Sequence, residues 1–245
     1  MCLLPSRGAL APLMSHIGVR TASELVVHGK DNRGEPVESA EVGRVLPVPE
    51  ALAELLPWRG LRRGGTVAVR GATSLLLALL GPATSAGSWA GVVGMPGIGV
   101  LAATEFGVVP QRLALVPNPG AEFAPVVAAL LEGMDLVAVR AAAGIRPEHA
   151  RRLSARARHH KSVLLSFGAW PGAEVELHGS TARWSGVEAG SGYLRTRRLV
   201  VEAVGRGAAA RPVRRTLLLP DSAGGIAAAE GATEANPARP RELAG

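Results

Sequence analysis

Short apolar runs alternate with segments of helical periodicity through the middle of this chain, and that alternation constrains the fold more than any other feature. The runs are uninterrupted and flanked by turn residues, as strands buried on both faces of a sheet are. They span Thr66–Arg70, Trp89–Val93, Leu113–Val116, Leu136–Val139 and Val163–Leu165. The segments between them, 97–107, 121–133 and 147–160, have apolar residues at helical spacing. This order predicts an α/β fold with a mainly parallel sheet flanked by helices.

The pattern changes towards the C-terminus. After Pro171 the segments 173–179, 181–186, 193–205 and 213–220 read as consecutive strands with alternating faces, which predicts a β-rich C-terminal extension of the sheet. We therefore predict an N-terminal arm and linker over 1–45, with a helix at Ala9–Ile17, and a core domain over 46–220. Residues 221–245 lack both periodicity and large apolar side chains, so we expect a disordered tail.

Composition narrows the class of protein. A chain of 245 residues with 47% hydrophobic residues can bury a proper core. The single cysteine, Cys2, rules out an internal disulfide and favours a reducing compartment. We find neither a membrane-length apolar run nor a signal-peptide pattern, so we expect a cytoplasmic protein. Aromatic residues are only 3% of the chain, and we expect its tryptophans to be the large pieces of the core: Trp58, Trp89, Trp170 and Trp184.

The first predicted strand leads into a glycine corner and a helix, which is the scaffold of a phosphate-binding loop. A working loop has the pattern G-x-x-x-x-G-K-[ST], in which backbone N–H groups cradle phosphates, the lysine reaches their oxygens and the hydroxyl holds magnesium. Here Gly71 is followed almost at once by an apolar helix, and neither lysine of the chain lies nearby. Thr73 and Ser74 are vestiges of that loop, and we expect them to act as helix N-caps. Weak anion binding at the helix N-terminus stays open.

A second position expected to carry chemistry is the end of strand 136–139. In phosphate-binding-loop proteins a strand near this point ends in an aspartate that holds Mg²⁺, whereas this strand is followed by Arg140. Arg140 either pairs with a carboxylate such as Glu105 or faces solvent. Asp135, at the other end of the strand, is interpreted as a residue that begins it. We predict no catalytic residue here.

Searches for other sites give little. The six histidines have no metal-ligand spacing with carboxylates or with the cysteine, and no G-x-S-x-G elbow is present. We therefore predict no metal site and no cofactor.

Arginine dominates the charge of the chain. The net charge is +7, and all but two of the 27 basic residues are arginines. The helix from Pro147 is basic, and its arginines either face solvent or contact nucleic acid or an acidic partner. A second group lies on neighbouring predicted strands, where alternation would place several on one surface for a partner protein or single-stranded DNA. This group is Arg195, Arg197, Arg198, Arg206, Arg211, Arg214 and Arg215.

The order of these parts resembles the RecA core from about residue 46 to 220. The similarity is greatest to degenerate actinobacterial RecA-like proteins of the ImuA type, in the runs GLRRGGTVAV, TSLLLALLGPATSAGSW, LALVPNPGAEFAPVVAALLEGMDLV and RRLSARAR. The resemblance implies a non-catalytic accessory role in the SOS response to DNA damage, in mutagenic translesion synthesis. Its implied partners are an inactive Y-family polymerase-like protein and an error-prone polymerase. The sequence departs from RecA at its lysine, its magnesium aspartate and its loop length, so ATP hydrolysis is not carried over.

Our hypothesis from the sequence is thus a RecA-like accessory protein that acts by binding, near the nucleoid. Its N-terminal arm or its sheet edges are candidates for self-association, and its basic C-terminal part is a candidate for protein or DNA contact. The alternative is a stand-alone single-stranded DNA-binding protein that uses the C-terminal arginines. A third hypothesis, an enzyme with a site of another kind, has no polar constellation to support it.

Overall fold

The structure is a computed structural model that describes residues 43–141, 144–188 and 191–229. Within that part of the chain the helices are α1 (Glu50–Ala53), α2 (Thr73–Ser85), α3 (Val100–Glu105), α4 (Phe123–Gly133) and α5 (Pro147–His160). The strands are β1 (Val45–Leu46), β2 (Leu61–Arg62), β3 (Thr66–Arg70), β4 (Ala90–Val93), β5 (Leu113–Val116), β6 (Leu136–Val139), β7 (Val163–Phe167), β8 (Val175–Glu188), β9 (Ser191–Gly205), β10 (Val213–Leu218) and β11 (Ala227–Ala228).

Among the described residues, one nine-stranded sheet has the order β11-β10-β9-β8-β3-β7-β6-β4-β5. The strands from β8 to β5 are parallel to one another, and β9, β10 and β11 continue the sheet antiparallel. Strands β1 and β2 form a separate small antiparallel pair. The predicted α/β class, its parallel sheet and the β-rich extension are confirmed.

Helices pack on both faces of the sheet. On one face, called here the α2 face, the leucines of α2 such as Leu75 and Leu79 share a core with Val67 and Val69 of β3. On the opposite face, the α5 face, Leu131 of α4 and α5 residues pack on β6 and β7. The central strands are buried on both faces, which is why they are apolar without interruption.

Helix α5 shows how local sequence sets the ends of these elements. Pro147 occupies the first helical position, where its missing N–H is not needed. The helix ends at Lys161, whose φ is +57°, and two histidines precede that residue in the last turn. Arg158 and Lys161 place positive charge near the negative end of the helix dipole. None of the helices in the described ranges is long and apolar enough to cross a membrane.

The expectation for the tryptophans is wrong for at least two of the four. Trp170 is 2% exposed, and its indole Nε1 donates to Ser154 Oγ at 3.0 Å. Trp58 and Trp184 are 38% and 41% exposed. Aliphatic side chains, above all the leucines of α2, fill most of the core instead.

The C-terminal boundary also differs from expectation. Residues 221–229, predicted to be disordered, include β11, which pairs with β10 through Leu217 and Leu218. Asp221 stabilises the turn between β10 and β11, because its Oδ1 accepts hydrogen bonds from the backbone N–H groups of Ala223 and Gly225. Residues 230–245, the rest of the predicted tail, lie outside the described residues. So do the N-terminal arm up to residue 42 and the helix predicted at Ala9–Ile17.

One edge of the sheet positions the β3–α2 corner, Arg140 and the ribbon described next. The carboxyl ends of the parallel strands meet there, at the carboxyl edge. Strand β8 pairs with β3 only as far as His178, opposite Arg70, and then pairs with β9 alone. Residues 180–188 and 191–198 therefore extend past the end of β3 as a ribbon about 30 Å long. At its base Arg197 and Arg198 still bond to the segment 218–220, and beyond them the ribbon is two-stranded. We call this ribbon the arm.

Candidate functional site

The corner between β3 and α2 is closed by the backbone of β8. Strand β3 ends at Arg70 and α2 begins at Thr73, so only Gly71 and Ala72 connect them. Gly71 has a φ of +86°, and a Cβ built on it would lie 1.8 Å from the carbonyl oxygen of Gly179. A two-residue connection packed in this way cannot form the run of successive N–H groups that cradles a phosphate chain.

Thr73 and Ser74 do not cap the helix, so that prediction is wrong. The N-cap residue is Ala72, which is extended and has no side-chain capping bond. Both hydroxyl residues already lie inside the first turn, where the side chain no longer reaches the free N–H groups as a cap does. Ser74 Oγ instead accepts a hydrogen bond from Nη2 of Arg197.

Arg197 is the residue that joins the base of the arm to the core. Its Nε donates to the carbonyl oxygen of Leu219 at 2.7 Å, and its guanidinium lies 5.4 Å from the centroid of the Trp184 ring. Partial burial lowers the pKa of the Arg197 guanidinium below its usual value, although an arginine stays charged at neutral pH. The side chain predicted to meet a partner is thus engaged within the protein.

Arg140 faces solvent at the carboxyl end of β6. It is exposed, and its guanidinium lies 5.3 Å from the centroid of the Phe167 ring. Among the described residues it makes no ion pair with Glu105 or any other carboxylate. Of the two alternatives from the sequence, the solvent-facing one is confirmed and the pairing with Glu105 is wrong, because the guanidinium lies over the ring of Phe167 at the end of β7. The end of this strand presents a cation where a magnesium ligand would stand.

Asp135 lies at the opposite edge of the sheet. Its Oδ1 accepts a hydrogen bond from Arg63 Nη1 at 2.7 Å, and its Oδ2 accepts one from the backbone N–H of Trp89 at 2.9 Å. The carboxylate thus connects the turn before β3 to the start of β4. Its interpretation as the residue that begins the strand is confirmed.

The structure divides the seven C-terminal arginines instead of gathering them. Arg195 and Arg198 lie on the arm, while Arg206 lies just past the other end of β9, about 25 Å away along the strand. Arg211 is near Arg206, in the connection before β10. The expectation of one shared surface is therefore wrong, because β9 is long enough to carry its two ends to opposite edges of the sheet.

The two arginines of β10 also separate. Arg214 lies opposite Glu202 in the β9–β10 register. Arg215 points to the other face, where its Nε donates to Oε2 of Glu54, the residue after α1, at 2.8 Å. The hydrogen bond and charge of Arg215 lower the pKa of the Glu54 carboxyl below its usual value.

Sequence reasoning missed Arg183, which the hairpin brings to the arm. In the β8–β9 register Arg183 lies directly opposite Arg198, and Trp184 lies opposite Arg197. Near the tip Tyr193 is 80% exposed. Only the pairing of the two strands reveals this juxtaposition, although the rare aromatic residues beside arginines in 183–198 were a usable signal.

The rest of the described surface offers little chemistry. An open groove of about 530 Å³ lies between α1 and the β10–β11 edge, and its main polar groups, Glu54 and Arg215, are paired with each other. In the described ranges no three histidine, cysteine or acidic side chains come together to hold a metal ion.

Comparisons with known proteins cover the core of the chain. Residues 54–172, just under half of the chain, match the family described as the MT3502 N-terminal domain. Over 116 residues the chain is 43% identical to the uncharacterized protein Rv3395c of Mycobacterium tuberculosis, an alignment that covers 46% of this chain and 57% of that protein. The chain thus spans little more than half the length of this curated relative. The family match includes the β3–α2 corner and Arg140 and ends before the arm.

Proposed function

We propose that this protein is a non-catalytic, RecA-like accessory factor of damage-induced mutagenic translesion DNA synthesis, of the ImuA type. It acts by binding other proteins and works in the cytoplasm at the nucleoid. The proposal rests on the resemblance in the sequence and on one structural observation, which is the closure of the β3–α2 corner by Gly179.

The β3–α2 corner supports a binding role because it lacks the groups that hold a nucleotide and is filled by contacts within the protein. A nucleotide-hydrolysing loop needs a backbone cradle, a lysine and a magnesium-binding hydroxyl. The two residues between β3 and α2 leave no length for the cradle, and Ser74 accepts its hydrogen bond from Arg197. An intact hydrophobic framework surrounds this corner, as expected for a scaffold that presents surfaces.

The end of β6 supports the same proposal. Nucleotide-hydrolysing proteins with a phosphate-binding loop have an aspartate near this point of the fold to bind Mg²⁺. The solvent-facing guanidinium of Arg140 repels a divalent cation at close range. The proposed partners follow from the resemblance alone: an inactive Y-family polymerase-like protein and an error-prone polymerase.

Two measurements test the proposal together. In the native host, deletion of the gene is expected to lower the mutation frequency after DNA damage while leaving spontaneous mutation unchanged. Purified protein is expected to show no magnesium-dependent ATP hydrolysis above that of a heat-denatured control.

Affinity purification from cells before and after DNA damage is the third measurement. Recovery of a polymerase-related protein from damaged cells is expected. An unchanged mutation frequency in the deletion strain, or ATP hydrolysis that disappears in Thr73→Ala, would refute the proposal.

A further inference from the structure

The arm exposes large aromatic and apolar side chains to solvent. Trp184, Tyr193 and Leu194 are 41%, 80% and 58% exposed. The chain has a single tyrosine and four tryptophans, so two of its few polar-tipped aromatic rings stand in solvent on one ribbon. Such rings combine an apolar body with a polar tip and are typical of contact surfaces.

Within the part of the chain that the structure describes, the arginines of the arm have no carboxylate partners. Arg183, Arg195 and Arg198 form no ion pair with any described side chain, whereas arginines nearer the core such as Arg62 and Arg70 are paired. Arg183 and Arg198 also lie directly opposite each other across the ladder. Like charges in that position destabilise a strand pair, and a bound anion would relieve the repulsion.

Two hydroxyl groups lie beside this arginine pair on the same face. Ser185 and Thr196 are directly opposite each other, with their oxygen atoms 2.6 Å apart. Arg198 is adjacent to Leu199, which is buried on the α2 face, so the arginine pair and the hydroxyl pair both lie on the α5 face of the arm. Guanidinium and hydroxyl groups are the side-chain groups that contact the phosphate and sugar of nucleic acids.

We propose that the arm binds single-stranded DNA. The α5 face, with Arg183, Arg198, Ser185 and Thr196, contacts the phosphates, and the exposed ring of Tyr193 stacks on a base. Stacking on side-chain rings requires unpaired bases, which favours a single strand over a duplex. The positive charges, which meet no carboxylate among the described residues, favour a polyanion over an apolar protein segment.

This inference does not depend on the proposed function, and it assigns different roles to the arginines predicted from the sequence. Arg197 holds the arm to the core through Ser74 and the Leu219 carbonyl, so it is a positioning residue. Arg206 and Arg211 lie at the other end of β9 and take no part.

The first test measures binding of the full chain to a fluorescently labelled 20-nucleotide oligo(dT) by anisotropy over a range of salt concentrations. With about three phosphate contacts, the slope of log K against log salt is expected to be about −2. Arg183→Glu with Arg198→Glu is expected to weaken binding by more than roughly tenfold. The control, Arg206→Glu with Arg211→Glu, changes the net charge equally and is expected to stay within about threefold of the unaltered protein.

Equal losses in both double variants would show a general charge effect and overturn the proposal. Absence of binding at low salt would also overturn it. Circular dichroism and urea unfolding of each variant exclude loss of the fold as the cause.

The second test addresses stacking. Tyr193→Ser changes a side chain that is 80% exposed, so the fold is expected to persist while affinity falls roughly 5- to 100-fold. Tyr193→Phe keeps the ring and is expected to bind as the unaltered protein does. Unchanged affinity in Tyr193→Ser, or a blunt duplex of the same length binding as tightly as oligo(dT), would overturn the proposal.

A protein-binding arm would give a different pattern. The arm variants would then bind oligo(dT) normally and fail to co-purify with a polymerase-related partner, which counts against DNA as the occupant. Damage-induced mutation frequency, measured with the same variants, keeps the two proposals separate. If the arm variants lose oligo(dT) binding but show normal damage-induced mutagenesis, the arm binds DNA as proposed. DNA binding by the arm is then not required for the proposed function.

Discussion

Replacement of Gly71 by alanine tests directly whether the β3–α2 corner is filled by β8. A Cβ at this position would lie 1.8 Å from the carbonyl oxygen of Gly179, with the backbone at a φ of +86°. The unfavourable φ alone costs an alanine roughly 1–2 kcal/mol. Relief of the overlap must shift the β8 backbone, which adds about 1–3 kcal/mol. We therefore expect Gly71→Ala to lower the free energy of unfolding by roughly 2–5 kcal/mol.

The chain offers a matched control in Gly172. Its φ is +85°, and nothing lies within 4 Å of a Cβ built there. Gly172→Ala therefore incurs the conformational cost without the overlap, and we expect it to lower the free energy of unfolding by only about 1–2 kcal/mol. Urea unfolding followed by circular dichroism measures both variants. If Gly71→Ala had the same free energy of unfolding as Gly172→Ala, there would be space for a Cβ next to Gly71, and β8 would not close the corner.

Three further predictions concern charged side chains. Arg197→Lys keeps the charge but loses the geometry of the guanidinium, so we expect the free energy of unfolding to fall by about 1–3 kcal/mol in a urea titration. Asp135→Ala leaves the Arg63 guanidinium without its carboxylate, and we expect a loss of about 1–3 kcal/mol by the same measurement. Glu54 has a pKa lowered mainly by Arg215, so its contribution to stability is present above its unfolded-state pKa and is lost as the pH falls below about 4.

Each of these predictions has an outcome that contradicts it. Unfolding midpoints of Arg197→Lys and Asp135→Ala equal to that of the unaltered protein would mean that neither contact stabilises the fold. For Glu54, the stability difference between Arg215→Ala and the unaltered protein should shrink from pH 6 to pH 3. A difference that stayed constant over this range would contradict the assigned pairing.

The parallel sheet was predictable because each of its strands is a short apolar run bounded by turn residues. Residues buried on both faces must be apolar, and the runs at 66–70 and 136–139 match β3 and β6 residue for residue. The run at 113–116 also matches β5, although β5 is the edge strand and is only partly buried. Glycine and proline at the ends of the intervening segments placed the helices. These signals are local, and each depends only on neighbours along the chain.

The candidate site was much less predictable, because its contacts join distant parts of the chain. Gly71 meets Gly179, and Ser74 meets Arg197, and no local pattern encodes either pair. The grouping of the C-terminal arginines failed for the same reason, since alternation gives the face of a strand but not the length of the hairpin. Trp184 was assigned to the core by its size, whereas its place beyond the end of β3 leaves it partly in solvent.

The two-residue link at Gly71 also limits how this protein could evolve. A substitution that placed a lysine after the glycine would add the missing charge, but it would not supply the missing chain length or move the carbonyl of Gly179 out of the way. Formation of a nucleotide pocket would need an insertion of several residues together with a displaced neighbouring strand. Either change alone is expected to destabilise the fold, so we expect no single substitution at this corner to create a nucleotide pocket.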